Sequence, residues 1–469
     1  MTYNVHSSIK GTLLPVIGML LLVLLGYFCM DYEITNTFFP MVLFLICTFG
    51  AIRLIKKQVL MVWSPMTWFL FACAIYYGFG PLIYIYGTYE SIMCLNNFYY
   101  VGHDLLFRTN VLNAVSITIV CIAFELGLRT KRTINPFGKS QCSPNVLKKL
   151  TFYLGGIGYS AHAIIFGIKS SLGLNATVPG MLYSLSEFTK LTVVVLVYRY
   201  FSGNKKIFLL MVLASLLELY WALSGFMKNQ ILEVLIAIFL GYFLVRPSRK
   251  ALAIAMVIML VVYLSLIPFV TAGRSLFWKV EGSSAPNLLQ VISIFGAAKE
   301  LSDVRKEQNI QDWWLRLCQS PSQAFAMNAY DRGLPSRSFY DIPFVIIPRI
   351  IYPNKPSLDY TREFTKLIQG DQAENSNAPS YFGDAYWNFG WIGVGFIGLY
   401  LGFAYAILTK INLSELAIPD LRWLPIAFTS IIMGCSCEGF FVPGMIAAMP
   451  LMIGLWAIIR FRFTKVTFG

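Results

Sequence analysis

Residues 251–271 read ALAIAMVIMLVVYLSLIPFVT, a run with no charged side chain. About 20 mostly apolar residues suffice to cross the hydrocarbon of a bilayer as a helix. A run of this length with no polar face has no second surface to offer water, so it predicts a membrane span. Basic residues close it on one side, at Arg246, Arg249 and Lys250, and Arg274 follows it on the other.

Working outward, similar runs occur at 12–30, 38–54, 62–86, 110–128, 150–167, 181–199, 207–224, 230–245, 251–271, 388–409, 423–441 and 443–459. The whole composition agrees: of 469 residues, 57% are hydrophobic and 13% charged, with a mean hydropathy of +0.64. Soluble domains carry about 25% charged residues. The expectation is an all-α polytopic integral membrane protein of about 12 transmembrane helices. Residues 1–271 form a bundle of nine spans and 381–469 one of three. Between them lies a large external loop, 272–380, expected to be partly helical. The first run lacks a small-residue cleavage site and is read as a retained helix.

Charge placement gives orientation. Basic residues crowd one set of short loops, among them Arg53, Lys56, Lys57, Arg199, Lys205 and Lys206, whereas the opposite set holds only Arg108, Lys169 and Lys228. By the positive-inside rule both termini are cytoplasmic. The formal net charge of +14 is then a topology signal, with membrane lipid headgroups as its partner and no role for nucleic acid. Cysteines in apolar runs (Cys29, Cys47, Cys73, Cys121, Cys435, Cys437) are expected to be small buried residues. Cys94 and Cys318 fall in external segments, where a disulfide is allowed.

The 272–380 loop carries 12 of the 37 basic residues, most of them arginines. Its apolar stretches Pro286 to Ala298 and Phe339 to Tyr352 are expected to pack as helices. Charged residues within spans are expensive and usually face a cavity or a partner. Glu218, Glu233, Lys228, Glu438, Arg274 and Asp384 all map near the external boundary, which predicts a polar cavity opening outward beneath the loop. Glu187 and Lys190, three apart on one helix, are read as a local bridge.

Arginine suits phosphate oxygens, because its fork of donors is bidentate and always charged. No HExxH, Cys/His ligand set, GxSxG or phosphate-cradling glycine loop is present, and no cofactor or metal site is expected. An anionic, membrane-borne substrate is the better fit.

Three segments carry a resemblance. Ile347 to Pro356 (IPRIIYPNKP) resembles the proline-arginine…lysine-proline segment of O-antigen polymerases of the Wzy type. Tyr381 to Gly393 (YFGDAYWNFGWIG) is similar to that family's start of the helix after the large external loop. Ser224 to Asn229 (SGFMKN) resembles its small-glycine-x-basic turn. The resemblance implies an enzyme of the bacterial inner membrane that joins polyprenyl-pyrophosphate-linked oligosaccharide repeats at the periplasmic face, with a chain-length regulator protein as a further partner.

Arg349 is then expected at the leaving pyrophosphate, with Arg274 and Lys355 beside it and Lys228, Arg337 and Arg362 behind. Asp384 or Glu438 is the expected base, and Tyr386 and Asn388 substrate contacts. The Pro-Arg segment also reads as an arginine-capped turn. Tyr381, Tyr386, Trp387 and Trp391 read either as sugar-stacking faces or as an interfacial aromatic belt. An O-antigen ligase is disfavoured, since loop 272–380 has no histidine. A metal-dependent glycosyltransferase would place its acids at Asp31-Tyr32-Glu33. A lipid-linked glycan flippase or other transporter would more often have short loops and midplane charges.

Overall fold

A computed structural model describes residues 18, 32–129, 144–172, 178, 180–226, 228–273, 289–294, 296, 310–347, 352, 360–370, 377–416, 421–446 and 452. Helix is the only regular secondary structure among them. A chain this apolar has to satisfy its backbone polar groups internally, and a helix does so within one segment.

In chain order the principal helices are α1 (Tyr32–Lys57), α2 (Pro65–Cys73), α3 (Tyr89–Tyr99), α4 (His103–Arg129), α5 (Pro144–Leu172), α6 (Gly180–Ser186) and α7 (Phe188–Phe201). They continue with α8 (Phe208–Ser224), α9 (Lys228–Val245), α10 (Arg249–Gly273), α11 (Ser320–Asp331), α12 (Tyr360–Gln369), α13 (Ser380–Leu416) and α14 (Leu424–Cys435). Beyond Cys73, α2 runs on through a π turn, Ala74–Phe79, and further helical turns to Tyr86.

Among the described residues, seven helical segments are long and apolar enough to cross a membrane: Thr35–Lys57, Pro65–Tyr86, Asp104–Arg129, Pro144–Leu172, Lys205–Ser224, Arg249–Val270 and Ser380–Ser414. Each covers one of the expected runs. The runs at 230–245 and 423–441 contain shorter apolar helices, Gln230–Val245 and Leu421–Cys435. The run at 181–199 is not one helix but two, α6 and α7, meeting at Glu187. The runs at 12–30 and 443–459 lie largely outside the described residues.

Apolar side chains also cover the outside of these helices. On α8, Leu209, Leu213 and Leu216 are exposed, and on α10, Ile254, Val257, Val261 and Leu264. On α13 the exposed set is Ile392, Phe396, Leu399, Phe403 and Ile407. Steps of three and four residues place each set on one helix face. Outward apolar stripes of this length suit a lipid solvent and not water.

The described residues fall into two compact units. One comprises α1–α4, α11–α13 and most of α14; the other comprises α5–α10. The division runs through the 272–380 loop, which changes unit between Trp313 and Trp314. Its early apolar stretch is helical at 289–294, and Val291 and Ile294 are buried with Phe226, Phe269 and Val270 in the core of the second unit. From Trp314 onward it packs in the first: Trp314 stacks on Phe79 with centroids 5.2 Å apart and donates its indole N–H to the Phe79 carbonyl at 3.0 Å.

The two external cysteines form no disulfide. Cys94 is exposed and Cys318 buried, and both are free thiols. Burial pushes the Cys318 thiol up to about 12, so it is not a thiolate near neutral pH.

In the first unit α13 lies along α4 through Gly398-Leu399-Tyr400-Leu401-Gly402, a small-xxx-small stripe of the kind that lets membrane helices approach closely. A Cβ at Gly402 would sit 2.5 Å from the Ala123 Cβ and the Val120 carbonyl oxygen. Gly402→Val is therefore expected to force the two helices apart, at a cost of about 1–3 kcal/mol for overpacking. Thermal melting of the purified protein checks this, with Gly395→Val as control, since nothing lies within 4 Å of a Cβ there. Equal melting of the two variants would contradict the packing.

Candidate functional site

Each unit holds a concentration of polar chemistry. In the first, the segment 334–339 is fastened to the start of α13. Trp387 donates its indole N–H to the Leu334 carbonyl at 2.7 Å, and the Ser336 N–H donates to the Trp387 carbonyl at 3.0 Å. Ser338 donates its hydroxyl to Asp384 Oδ1 at 2.8 Å and accepts from Asn388 Nδ2 at 2.8 Å. The Phe339 N–H donates to Asn388 Oδ1 at 3.2 Å. Asn388 Nδ2 also lies 3.0 Å from Asp384 Oδ1, and Asp384 Oδ2 accepts the Phe441 N–H at 3.1 Å. The spacing of four between Asp384 and Asn388 puts both on one helix face.

This corrects the expected position of Asp384 and gives the contacts of two further candidates. Asp384 was expected at a cavity mouth, but it is fully buried. Both of its carboxylate oxygens already accept hydrogen bonds. Asn388 and Tyr386 were expected as substrate contacts and are buried too. Asn388 spends its amide on Ser338 and the Phe339 backbone. Tyr386 donates to Asp331 Oδ1 at 3.2 Å and accepts from Arg108 at 3.2 Å, while Arg108 pairs with Asp331 at 2.6 Å. Of the four aromatic residues, Tyr381 and Trp387 are likewise buried, and Trp391 alone is exposed.

Glycine shapes the same region. Gly390 adopts φ 58° and ψ −145°, and with Phe389 it breaks α13. That backbone region is essentially closed to residues with a Cβ, and a Cβ there would also lie 3.0 Å from the Tyr330 ring. The buried amides Asn113 and Gln323 exchange hydrogen bonds at 2.8–2.9 Å, and Gln323 donates to Ser380 Oγ at 2.7 Å, tying α4, α11 and α13 together.

The other expected site residues sit as follows. Arg337 is exposed beside the fastened segment, Arg362 is exposed on α12, and Glu438 is half-buried in the turn after α14. Arg274, Arg349 and Lys355 lie outside the described residues, as do the side chain of Lys228 and those at Asp31-Tyr32-Glu33.

The second unit contains a cavity of about 100 Å³ between α5, α6, α7, α8 and α9. Lys190, buried at the start of α7, donates to Glu187 at 2.6 Å and also to Glu233 on α9. Trp221 and His162 form a stacked pair, with ring centroids 4.3 Å apart and planes within 9°. Gln230 and Glu218 complete the polar wall. Glu218 is 2% exposed, and its Oε1 has no hydrogen-bond partner among the described residues. The Tyr159 hydroxyl, buried on α5, likewise has none.

The residues from Met19's neighbourhood to the end of α13 match one family description, a domain of unknown function, DUF8712, over residues 19–416. The chain belongs to the DUF8712 family. No curated protein and no solved structure matches it.

In this DUF8712 protein the sequence grouped Glu187 and Lys190 as an isolated bridge and passed over His162. The missed signal was helix direction. Lys190 and Glu233 open their helices while Glu218 closes its own, so successive antiparallel helices bring all three to one end of the unit. Among the described residues no group of three His, Cys, Asp or Glu side chains is arranged to hold a metal ion.

Proposed function

We propose that this DUF8712 protein is a bacterial inner-membrane glycosyltransferase of the O-antigen polymerase type. It joins polyprenyl-pyrophosphate-linked oligosaccharide repeats at the periplasmic face, crosses the membrane about 12 times and keeps both termini in the cytoplasm. What supports this reading is the fastening of 334–339 onto Asp384 and Asn388. Asp384, Trp387 and Asn388, from one of the three segments that carry the resemblance to the polymerases, anchor the long loop to α13, and in sequence the chain continues from that anchor to Pro348-Arg349.

In this mechanism Arg349 and Lys355 stabilise negative charge developing on the pyrophosphate as the glycosyl bond to it breaks. Fixed cations can do this electrostatically, and the bidentate arginine fork matches phosphate oxygens. Arg337 and Arg362 contribute positive field from exposed positions. Asp384, closed in by its donors, holds the loop in place; Glu438 is the carboxylate left to take the proton of the attacking hydroxyl. The chemistry asks for no cofactor.

The test is a chromosomal deletion with surface polysaccharide resolved on a gel. Single-repeat product is expected, restored to long chains by the wild-type gene. Arg349→Ala should reach the membrane yet fail to restore them, and Arg349→Lys should restore them in part. Unchanged chains in the deletion strain would refute the reading.

A further inference from the structure

We propose that the cavity between α5 and α9 is a binding site for one uncharged sugar ring. The inference deepens the glycan-handling reading above and rests on it. Size is the first consideration. A single water needs roughly 10–15 Å³ of such space, and the cavity offers about 100 Å³, room for a ring and not merely for one solvent molecule.

Chemistry narrows the ligand. A buried carboxylate oxygen without a donor is costly, and Glu218 Oε1 is in that position. The missing partner is therefore a donor. Sugar hydroxyls supply donors in numbers, and Gln230 can give and accept at the same wall. The Trp221–His162 stack provides a flat aromatic surface for the C–H face of a ring.

Charge excludes the alternatives. The Lys190 charge is balanced by Glu187 and Glu233, so it offers an anion no net attraction. Glu187 and Glu218, both in the cavity wall, repel phosphate. A metal ion would meet the Lys190 ammonium and finds no three-ligand group among the described residues. A neutral, hydroxyl-rich ligand is what remains.

The experiment uses purified full-length protein in lipid nanodiscs prepared without sugar-based detergent. Methyl glycosides of glucose, galactose, mannose, rhamnose and N-acetylglucosamine are added singly, and binding is read by saturation-transfer NMR. At least one should bind saturably, and Glu218→Gln should weaken it roughly tenfold or more, the worth of a hydrogen bond to a charged group. Thermal melting of Glu218→Gln should stay at or above wild type, since the change removes a buried charge, and this separates lost binding from lost folding. Absence of saturable binding, or binding indifferent to Glu218→Gln, overturns the proposal. So does Glu218-dependent thermal stabilisation by sodium or methylammonium chloride in place of a glycoside. If no glycoside binds while the deletion strain still shows single-repeat product, the sugar site falls and the polymerase reading stands. Glycoside binding with an unchanged polysaccharide would do the reverse.

Discussion

Asp384→Ala is expected to loosen the first unit and free the segment 334–339 from α13. The change strands two donors, the Ser338 hydroxyl and the Phe441 N–H, and takes one of three acceptors from the Asn388 amide, which keeps Ser338 Oγ and the residue-384 carbonyl. Each stranded buried donor costs about 1–3 kcal/mol, several kcal/mol in all before relaxation. Trypsin offers a direct readout, because Arg332 and Arg337 are exposed on either side of Leu334. Cleavage there should accelerate, and the melting temperature should fall. Asp384→Asn keeps one acceptor and should do less on both measures. A carboxylate acting only as a catalytic base would show the opposite pattern, with Asp384→Ala as resistant to trypsin and heat as wild type.

Lys190→Met is the corresponding experiment in the second unit, and its effect should be comparable. Without the ammonium, Glu187 and Glu233 lose the cation they share. Removing one partner of a buried ion pair typically costs about 3–5 kcal/mol, much of it the penalty of leaving charge buried and unpaired. Glu187 retains some contact with solvent, which places the loss toward the lower figure. A second substitution, Glu233→Gln, should recover part of the melting temperature of Lys190→Met by removing one stranded charge. Non-additivity of that kind identifies a coupled pair. If the double variant were no better than the single one, the pairing would not be what stabilises this end of the unit.

The contrast between these two sites shows how much the sequence discloses. Apolar runs declare themselves, because the bilayer imposes length and composition on one continuous segment. Hence seven of the expected runs return as long apolar helices. The run at 181–199 looked continuous, yet it breaks beside Glu187. Hydropathy does not register that break. The polar residues were legible as unusual but not as to role. Asp384 and Asn388 stand out in the sequence because buried polar networks are exacting, and substrate contact is exacting in the same way. Only the positions of Ser338 and the Phe441 N–H, remote in sequence, tell the two apart. The approach of Gly402 to Ala123 went unread in the sequence, because a pair of glycines four apart does not say which helix comes near.

The break at Phe389 and Gly390 bears on how the chain leaves the bilayer. α13 has 37 residues, about 55 Å at 1.5 Å per residue, against a hydrocarbon thickness of about 30 Å. Residues 391–414 alone would span roughly 36 Å, enough to cross with modest tilt. The turns from Ser380 to Asn388 are therefore surplus to the crossing, and the glycine joint divides a lipid-set rod from a protein-set one. The span can adjust to membrane thickness by tilting at Gly390, while Asp384 and Asn388 keep their register with the segment they hold. A bulkier residue at 390 would strain that joint and crowd the Tyr330 ring.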